Sequence, residues 1–311
     1  MKITVFGTGG VGGYFGARLA QAGCDVGFVA RGEHLRALRA QGLRVESALG
    51  DAVLPGVRAS DDPRELGTPD WVLVCVKLWD TDEALRAIAP VVGPGTAVIS
   101  FQNGVQKDDV LRRACGEKAV VGGVAYISAG IARPGVVRHT GKLAKLVFGE
   151  HDGGASPRAT ALLEACTKAG IDASIAPDIR RAIWEKFVFL VGMSAATASM
   201  RSTIGPVRAH ERSRAFLLDV MREVVAVGRA QGVALAEDFA EGRLAFIDGL
   251  PPEMEASMYT DLKRGGRLEL PWLSGAVVGL GAEVGVAVPL NRAVSDILAI
   301  HAGGVIGAKQ A

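Results

Sequence analysis

The sequence predicts an α/β fold: a parallel-sheet domain over about residues 1–170, then an all-helical domain over 171–311. Three observations predict it. Short apolar runs alternate with helical patterns through the first half of the chain. Strand signals stop after Pro177. A glycine-rich turn, Gly7-Thr8-Gly9-Gly10-Val11-Gly12, separates the first apolar run from the first helical one.

Ile3 to Phe6 is a short apolar strand that ends in glycines, and Val11 to Ala22 carries a helical pattern broken at Gly23. Asp25 to Ala30 reads as the second strand and Glu33 to Ala40 as a helix. Trp71 to Val76 is a continuous apolar run, expected of a strand buried on both faces. Thr81 to Val91 follows as a helix, Thr96 to Phe101 as a strand, and Val120 to Tyr126 as another apolar run. Gly135–His139 and Lys145–Phe148 read as hairpin strands around Thr140-Gly141, and Ser156 to Lys168 as a helix. Beyond Pro177 the helical segments are Asp178 to Met200, Pro206 to Gln231, Ala236 to Ile247, Ser257 to Arg264, Leu270 to Glu283 and Leu290 to Ile300. No internal repeat is present.

Composition narrows the function classes. Of 311 residues, 41 are glycine, about twice the usual share, with no collagen-like period. Lys plus Arg is 35 against 33 Asp plus Glu, a net charge of +2, so no basic footprint for nucleic acid exists. Cys24, Cys75, Cys115 and Cys166 are far apart, which predicts reduced, mostly buried thiols and no zinc site. The chain opens with a glycine turn before any signal-like apolar stretch, and no segment reads as a membrane span. A cytoplasmic protein acting on a small molecule is the expectation; a homodimer is left open.

The glycine turn carries the chemistry. Gly7, Gly9 and Gly12 fit G-x-G-x-x-G between a strand and a helix, the context of a Rossmann-type dinucleotide site. Gly7 permits the turn, Gly9 the approach of a pyrophosphate, and Gly12 the packing of helix on strand. Thr8, Gly10 and Val11 complete the loop, whose helix end offers N–H groups to phosphate. Arg31, after the second strand, matches the 2′-phosphate of NADP rather than the ribose hydroxyls of NAD; Glu33 keeps NAD open. Lys77 and Asn103 each follow a predicted parallel strand, at the sheet edge where ligands bind in open α/β sheets. Lys186 lies in the apolar helical run Trp184-Glu185-Lys186-Phe187, placed to donate a proton to a carbonyl oxygen, or else to snorkel to the surface. Ser257 and Glu269 are polar residues near helix ends.

Together these residues resemble the ketopantoate reductase family over nearly the whole chain. The resemblance rests on the N-terminal glycine motif, Arg31, Val76-Lys77, Gln102-Asn103-Gly104, Trp184-Glu185-Lys186, Ser257-Met258 through Asp261, and Gly266-Arg267 through Glu269. It implies an NADP-binding Rossmann domain, a helical C-terminal domain and an active site in the cleft between them. It implies reduction of 2-dehydropantoate to (R)-pantoate, a step towards pantothenate. Lys186 matches the catalytic lysine, and Glu269 the acid that positions substrate and supports protonation near the cofactor. Ser257 matches the serine that holds the substrate carboxylate. Lys77 and Asn103 match residues lining the cofactor and substrate cleft.

Two positions depart from the family pattern. Asparagines commonly lie four and eight residues after the catalytic lysine; here they are Leu190 and Ser194. Ser194 is retained as a substrate-binding candidate of shorter reach, and the pocket for the substrate tail becomes more apolar. After Glu269 the family often continues Ile-Asp-Tyr, where this chain has Leu270-Pro271-Trp272. A reductase of a more apolar 2-oxo acid is therefore the first alternative, and a non-catalytic NADP-binding regulator the second.

Overall fold

The computed structural model describes residues 1–305. It divides into two compact units, residues 1–182 and from Ile183 onward.

The first unit is built on a ten-stranded mixed sheet. In chain order its elements are β1 (Lys2–Phe6), α1 (Gly10–Gln21), β2 (Asp25–Val29), α2 (Gly32–Gln41), β3 (Leu43–Ser47), β4 (Ala52–Leu54), β5 (Arg58–Ser60), β6 (Trp71–Val74), α3 (Thr81–Ile88), β7 (Ala97–Ser100), α4 (Lys107–Cys115), β8 (Val120–Arg133), β9 (Val136–Gly149), α5 (Pro157–Lys168) and β10 (Asp172–Ile175). The strand order is β4-β3-β9-β8-β7-β6-β1-β2-β5, with β10 pairing β9. Strands β8, β7, β6, β1, β2 and β5 run parallel. β9 returns antiparallel to β8, carrying β3 and β10 parallel to itself, and β4 runs antiparallel to β3.

Alternation along the strands fills both faces. Ile3 and Val5 of β1 join one core with Tyr14, Phe15 and Leu19 of α1 and Leu162 of α5. Phe6 joins the other with Val72, Val74, Ala84, Leu85, Ile88 and Leu111. The sheet is thus covered on both faces, as its continuous apolar strands require.

The hairpin differs from the expectation. Its turn is Pro134-Gly135, with Gly135 at φ +78°, and not Thr140-Gly141. Gly141, at φ +81°, lies within β9 instead. Pairing jumps there from Ile127–Ala144 to Ala129–His139, leaving the intervening residues of β9 as an irregularity. The sheet is mixed rather than parallel for the same reason, since a two-residue turn can only join antiparallel strands. Strands β3, β4 and β5 were not expected; they are short and alternate with exposed polar residues such as Arg44. β10 lies past the residue 170 at which the helical domain was expected to begin, and α4 is a further helix of the first unit that the apolar pattern did not show.

The second unit is helical. α6 (Ile179–Met200) begins in the last residues of the first unit and is followed by α7 (Ile204–Ala209), α8 (Glu211–Ala230), α9 (Phe239–Asp248), α10 (Ser257–Lys263), α11 (Ser274–Val284) and α12 (Pro289–Leu298). The helix expected over Pro206–Gln231 is broken at His210, which is extended (φ −98°, ψ 123°). The one expected over Leu270–Glu283 is a 3₁₀ turn at Leu270–Trp272 and then α11, with the break at Leu273. The Glu223 carboxylate of α8 accepts the Leu290 and Asn291 backbone N–H groups at 2.8 and 2.9 Å, capping the start of α12. Among the described residues no helix is long and apolar enough to cross a membrane, and no cluster of three or more metal-ligating side chains occurs.

Candidate functional site

The register of the sheet brings four strand ends level. Phe6 of β1 pairs with Val29 of β2 and with Val74 of β6, and Val74 pairs with Ser100 of β7. The loops that follow therefore lie in a row along one edge, bearing Asn103, Lys77, the glycine turn and Arg31 in that order. The chain reverses direction across the sheet at β1, the point where open α/β sheets form their ligand crevice.

Each glycine of the motif meets a different surrounding. Gly7 has φ +102°, and a Cβ there would stand 2.7 Å from Val76 N. A Cβ on Gly12 would run into the Gly7 carbonyl oxygen and stand 2.7 Å from Val5 Cγ1. A Cβ on Gly10 would run into the Ala129 carbonyl of β8. Around Gly9, by contrast, no atom lies within 4 Å of that position. Gly9 is also the N-cap of α1 and supplies no side-chain cap, so the first N–H groups of the helix remain available to an anion. Thr8 is buried, and its hydroxyl donates to the Val29 carbonyl at 2.9 Å. The Gly7 and Thr8 backbone N–H groups donate to the same carbonyl. Thr8 thus ties the loop to the end of β2. This cradle, open only at Gly9, fits a pyrophosphate.

Arg31, N-cap residue of α2, is more than half exposed and forms a two-point ion pair with Glu83 of α3. Glu33, the acid that left NAD open, pairs with Arg36 instead. His34, one turn into α2, accepts the Gly135 N–H on Nδ1 at 3.1 Å and so anchors the hairpin turn to this corner. Burial pushes its pKa below the usual imidazole value, against the opposing effect of a Thr8 backbone contact.

Lys77 is exposed and Asn103 half-buried. The sequence did not reveal what braces them. Gln102 Nε2 donates to Thr81 Oγ1 at 2.8 Å, and Thr81 Oγ1 donates to the Leu78 carbonyl at 2.7 Å. The Ser100 hydroxyl donates to Gln102 Oε1 at 2.9 Å. These buried bonds join the loop of Asn103 to the loop of Lys77. On the far side of Asn103, the buried Lys107 ammonium donates to the Ser100 and Gly123 carbonyls, both at 2.9 Å, and to Asp108 Oδ1 at 2.8 Å. His151 Nε2 stands 3.4 Å from the second Asp108 oxygen. Burial pushes the Asp108 carboxyl up, but Lys107 and His151 outweigh it and hold the pKa below the usual range. No sequence signal distinguishes this lysine from an ordinary helix-start charge.

In the second unit, Lys186, Leu190 and Ser194 recur at four-residue spacing on α6 and form one stripe. Lys186 and Leu190 are half-buried, and Ser194 is buried. Thr197, one turn further, donates to the Met193 carbonyl at 2.7 Å and accepts the Ala256 N–H at 3.4 Å. This bond fixes the start of α10, whose first residue is the exposed Ser257, beside the same stretch of α6. Glu269 is buried at the start of the 3₁₀ turn Leu270–Trp272. Of the cysteines, which are all free, only Cys166 is buried; Cys24, Cys75 and Cys115 are half-buried, contrary to the expectation of mostly buried residues. Burial pushes the Cys75 and Cys166 thiols up to about 12, with Cys24 adding to the effect on Cys166, so neither is a thiolate near neutral pH.

A Rossmann-like sheet with an open glycine cradle at its switch point, followed in the chain by a helical unit, defines the class of NAD(P)H-dependent oxidoreductases. Comparison with known proteins gives the particular branch. Residues 3–153 match the family model "Ketopantoate reductase PanE/ApbA", and residues 178–302 match its C-terminal counterpart. A 2-dehydropantoate 2-reductase of Mesorhizobium japonicum is 36% identical over 318 aligned positions, covering 94% of this chain and 95% of that one. The crystal structure of a PanE/ApbA family ketopantoate reductase from Ralstonia eutropha superposes with a TM-score of 0.89 at 34% identity, covering 97% and 98% of the two chains. That of a 2-dehydropantoate 2-reductase from Geobacter metallireducens gives 0.90 at 31% identity, covering 96% and 99%. The chain belongs to the ketopantoate reductase family.

Proposed function

We propose that this protein uses NADPH to reduce 2-dehydropantoate to (R)-pantoate. The observation that carries the reading is the row of Asn103, Lys77, the open Gly9 cradle and Arg31 along one sheet edge, in a chain similar over almost its full length to proteins named for that reaction. When bound, the nicotinamide supplies the hydride that reduces C2 of the oxo acid. The residues of the chain do the rest. Gly9 and the start of α1 receive the pyrophosphate, and Arg31 receives the 2′-phosphate. Lys186 holds a proton for the carbonyl oxygen and stabilises the negative charge that develops there. Glu269 keeps that lysine and the substrate in position. Ser257 binds the substrate carboxylate and Ser194 orients a remaining polar group; in the first unit, Lys77 and Asn103 border the cofactor.

Leu190 favours a second reading. It occupies the middle of the Lys186–Ser194 stripe and offers no hydrogen bond. A substrate hydroxyl buried against it loses about 1–3 kcal/mol, which suits a 2-oxo acid with a more apolar tail. A panel of 2-oxo acids assayed with NADPH and with NADH separates the readings. The first expects 2-dehydropantoate to have the highest kcat/KM; an apolar oxo acid that exceeds it establishes the second. Lys186→Ala is expected to lower turnover at least about 100-fold, within the range for general acid catalysis. Turnover at the wild-type level would remove Lys186 from the mechanism.

A further inference from the structure

The residue that holds Arg31 carries a consequence for cofactor choice. Glu83 takes the guanidinium at two points, Oε2 at 3.0 Å from Nη1 and Oε1 at 2.8 Å from Nη2. This is the bidentate geometry in which an arginine receives a phosphate, so the two acceptors compete for the same donors. Both side chains are a little over half exposed. An ion pair in that setting contributes little to stability and exchanges readily. At the next position, a Cβ on Gly32 would meet no atom within 4 Å.

We propose that Glu83 is a specificity-determining residue for the dinucleotide: it yields Arg31 to a 2′-phosphate at an electrostatic cost, and it accepts a hydrogen bond from a 2′-hydroxyl. The proposal rests on the assignment of Arg31 to the adenosine ribose. With NADPH, the phosphate must break the Arg31–Glu83 pair and then sit beside a carboxylate of its own sign. With NADH no displacement is needed, because a neutral hydroxyl donates to Glu83 while Arg31 stays paired. The acid therefore narrows the preference for NADPH that Arg31 alone would impose. The sequence pointed to Glu33 for this role, but Arg36 occupies that carboxylate; the acid that reaches Arg31 comes from α3, more than fifty residues later in the chain.

The test needs no oxo acid. NADPH and NADH are titrated into the full-length protein, and binding is followed by nicotinamide fluorescence. Glu83→Gln is expected to tighten NADPH about two- to fivefold and to weaken NADH about twofold, from the size of exposed ion pairs. Arg31→Gln is expected to weaken NADPH by more than about tenfold, the loss of a charge-assisted bidentate pair, with NADH changed less than about twofold. In the Arg31→Gln background, the effect of Glu83→Gln on NADPH is expected to differ from its effect in the wild type, because competition for Arg31 is gone and only the like-charge repulsion remains. Wild-type thermal midpoints in these exposed variants exclude a folding origin. If Glu83→Gln leaves the NADPH-to-NADH ratio unchanged while Arg31→Gln still weakens NADPH, the inference fails and the assignment of Arg31 stands. If Arg31→Gln leaves NADPH binding unchanged, that assignment fails and takes the inference with it. Equal weakening of both cofactors by Glu83→Gln also overturns it.

Discussion

Gly9 and Gly12 belong to one motif but answer to different demands, and substitution separates them. A Cβ on Gly9 meets no protein atom within 4 Å, so Gly9→Ala is expected to keep the wild-type thermal midpoint while weakening NADPH binding at least about tenfold, because the methyl occupies the space of the phosphates. Gly12→Ala forces a methyl onto the Gly7 carbonyl and Val5. It is expected to cost about 1–3 kcal/mol in urea unfolding, the price of overpacking. The buried pair at Lys107 and Asp108 makes a second prediction. Removing one partner of such a pair costs about 3–5 kcal/mol, so Lys107→Met is expected to lower stability by that order in urea unfolding. The Asp108 carboxyl is held below its usual pKa. It therefore adds stability above the unfolded value, near 4, and that stability is lost as the pH falls through the folded value. Urea midpoints measured across the acid range should fall less steeply for Asp108→Asn than for wild type; parallel curves would show that Asp108 carries no such linkage.

Among the elements, those with a local signature were legible and those made by distant partners were not. The strand–glycine–helix unit at the N-terminus could be read because its turn, its open glycine and its packing glycine all lie within six residues. The buried strands β6 and β7 could be read because burial on both faces leaves an unbroken apolar run. The hairpin was misplaced because Thr140-Gly141 and Pro134-Gly135 carry equal turn chemistry. Only pairing with β8 decides that the first is an irregularity and the second the turn. Strands β3 and β10 exist because β9 offers them an edge, and that edge is fixed far along the chain. The candidate site followed the same rule. Arg31, Lys77 and Asn103 could be placed at strand ends. Glu83, Thr81, Gln102 and Lys107 acquire their roles only from residues that the fold brings beside them.

At the scale of the whole molecule, the last strand of the sheet defines where the first unit can be cut. β9 pairs with β8 along one edge; β3 covers the first half of its other edge and β10 the second. A fragment ending at residue 178 retains this arrangement and is expected to melt cooperatively. One ending at residue 170 lacks β10, exposes the edge at Lys145–Phe148, and is expected to aggregate or to lose its cooperative transition. Circular dichroism melts and size-exclusion chromatography of the two fragments distinguish them; equal behaviour would place the boundary earlier than β10.

The pairing of Arg44 with Val136 also sets a timetable for synthesis. β3 leaves the ribosome long before its partner β9 has been made. At about 5–20 residues per second, its edge towards β9 waits on the order of ten seconds. During that interval the nascent chain displays an incomplete sheet, with only the short β4 available to cover β3. Early emergence of β1, β2 and the glycine turn does not close the domain; closure waits for the hairpin and β10. A slowly translated message, or a pause between β3 and β9, would lengthen the exposure of that edge and make yield in the cell depend on chaperone supply.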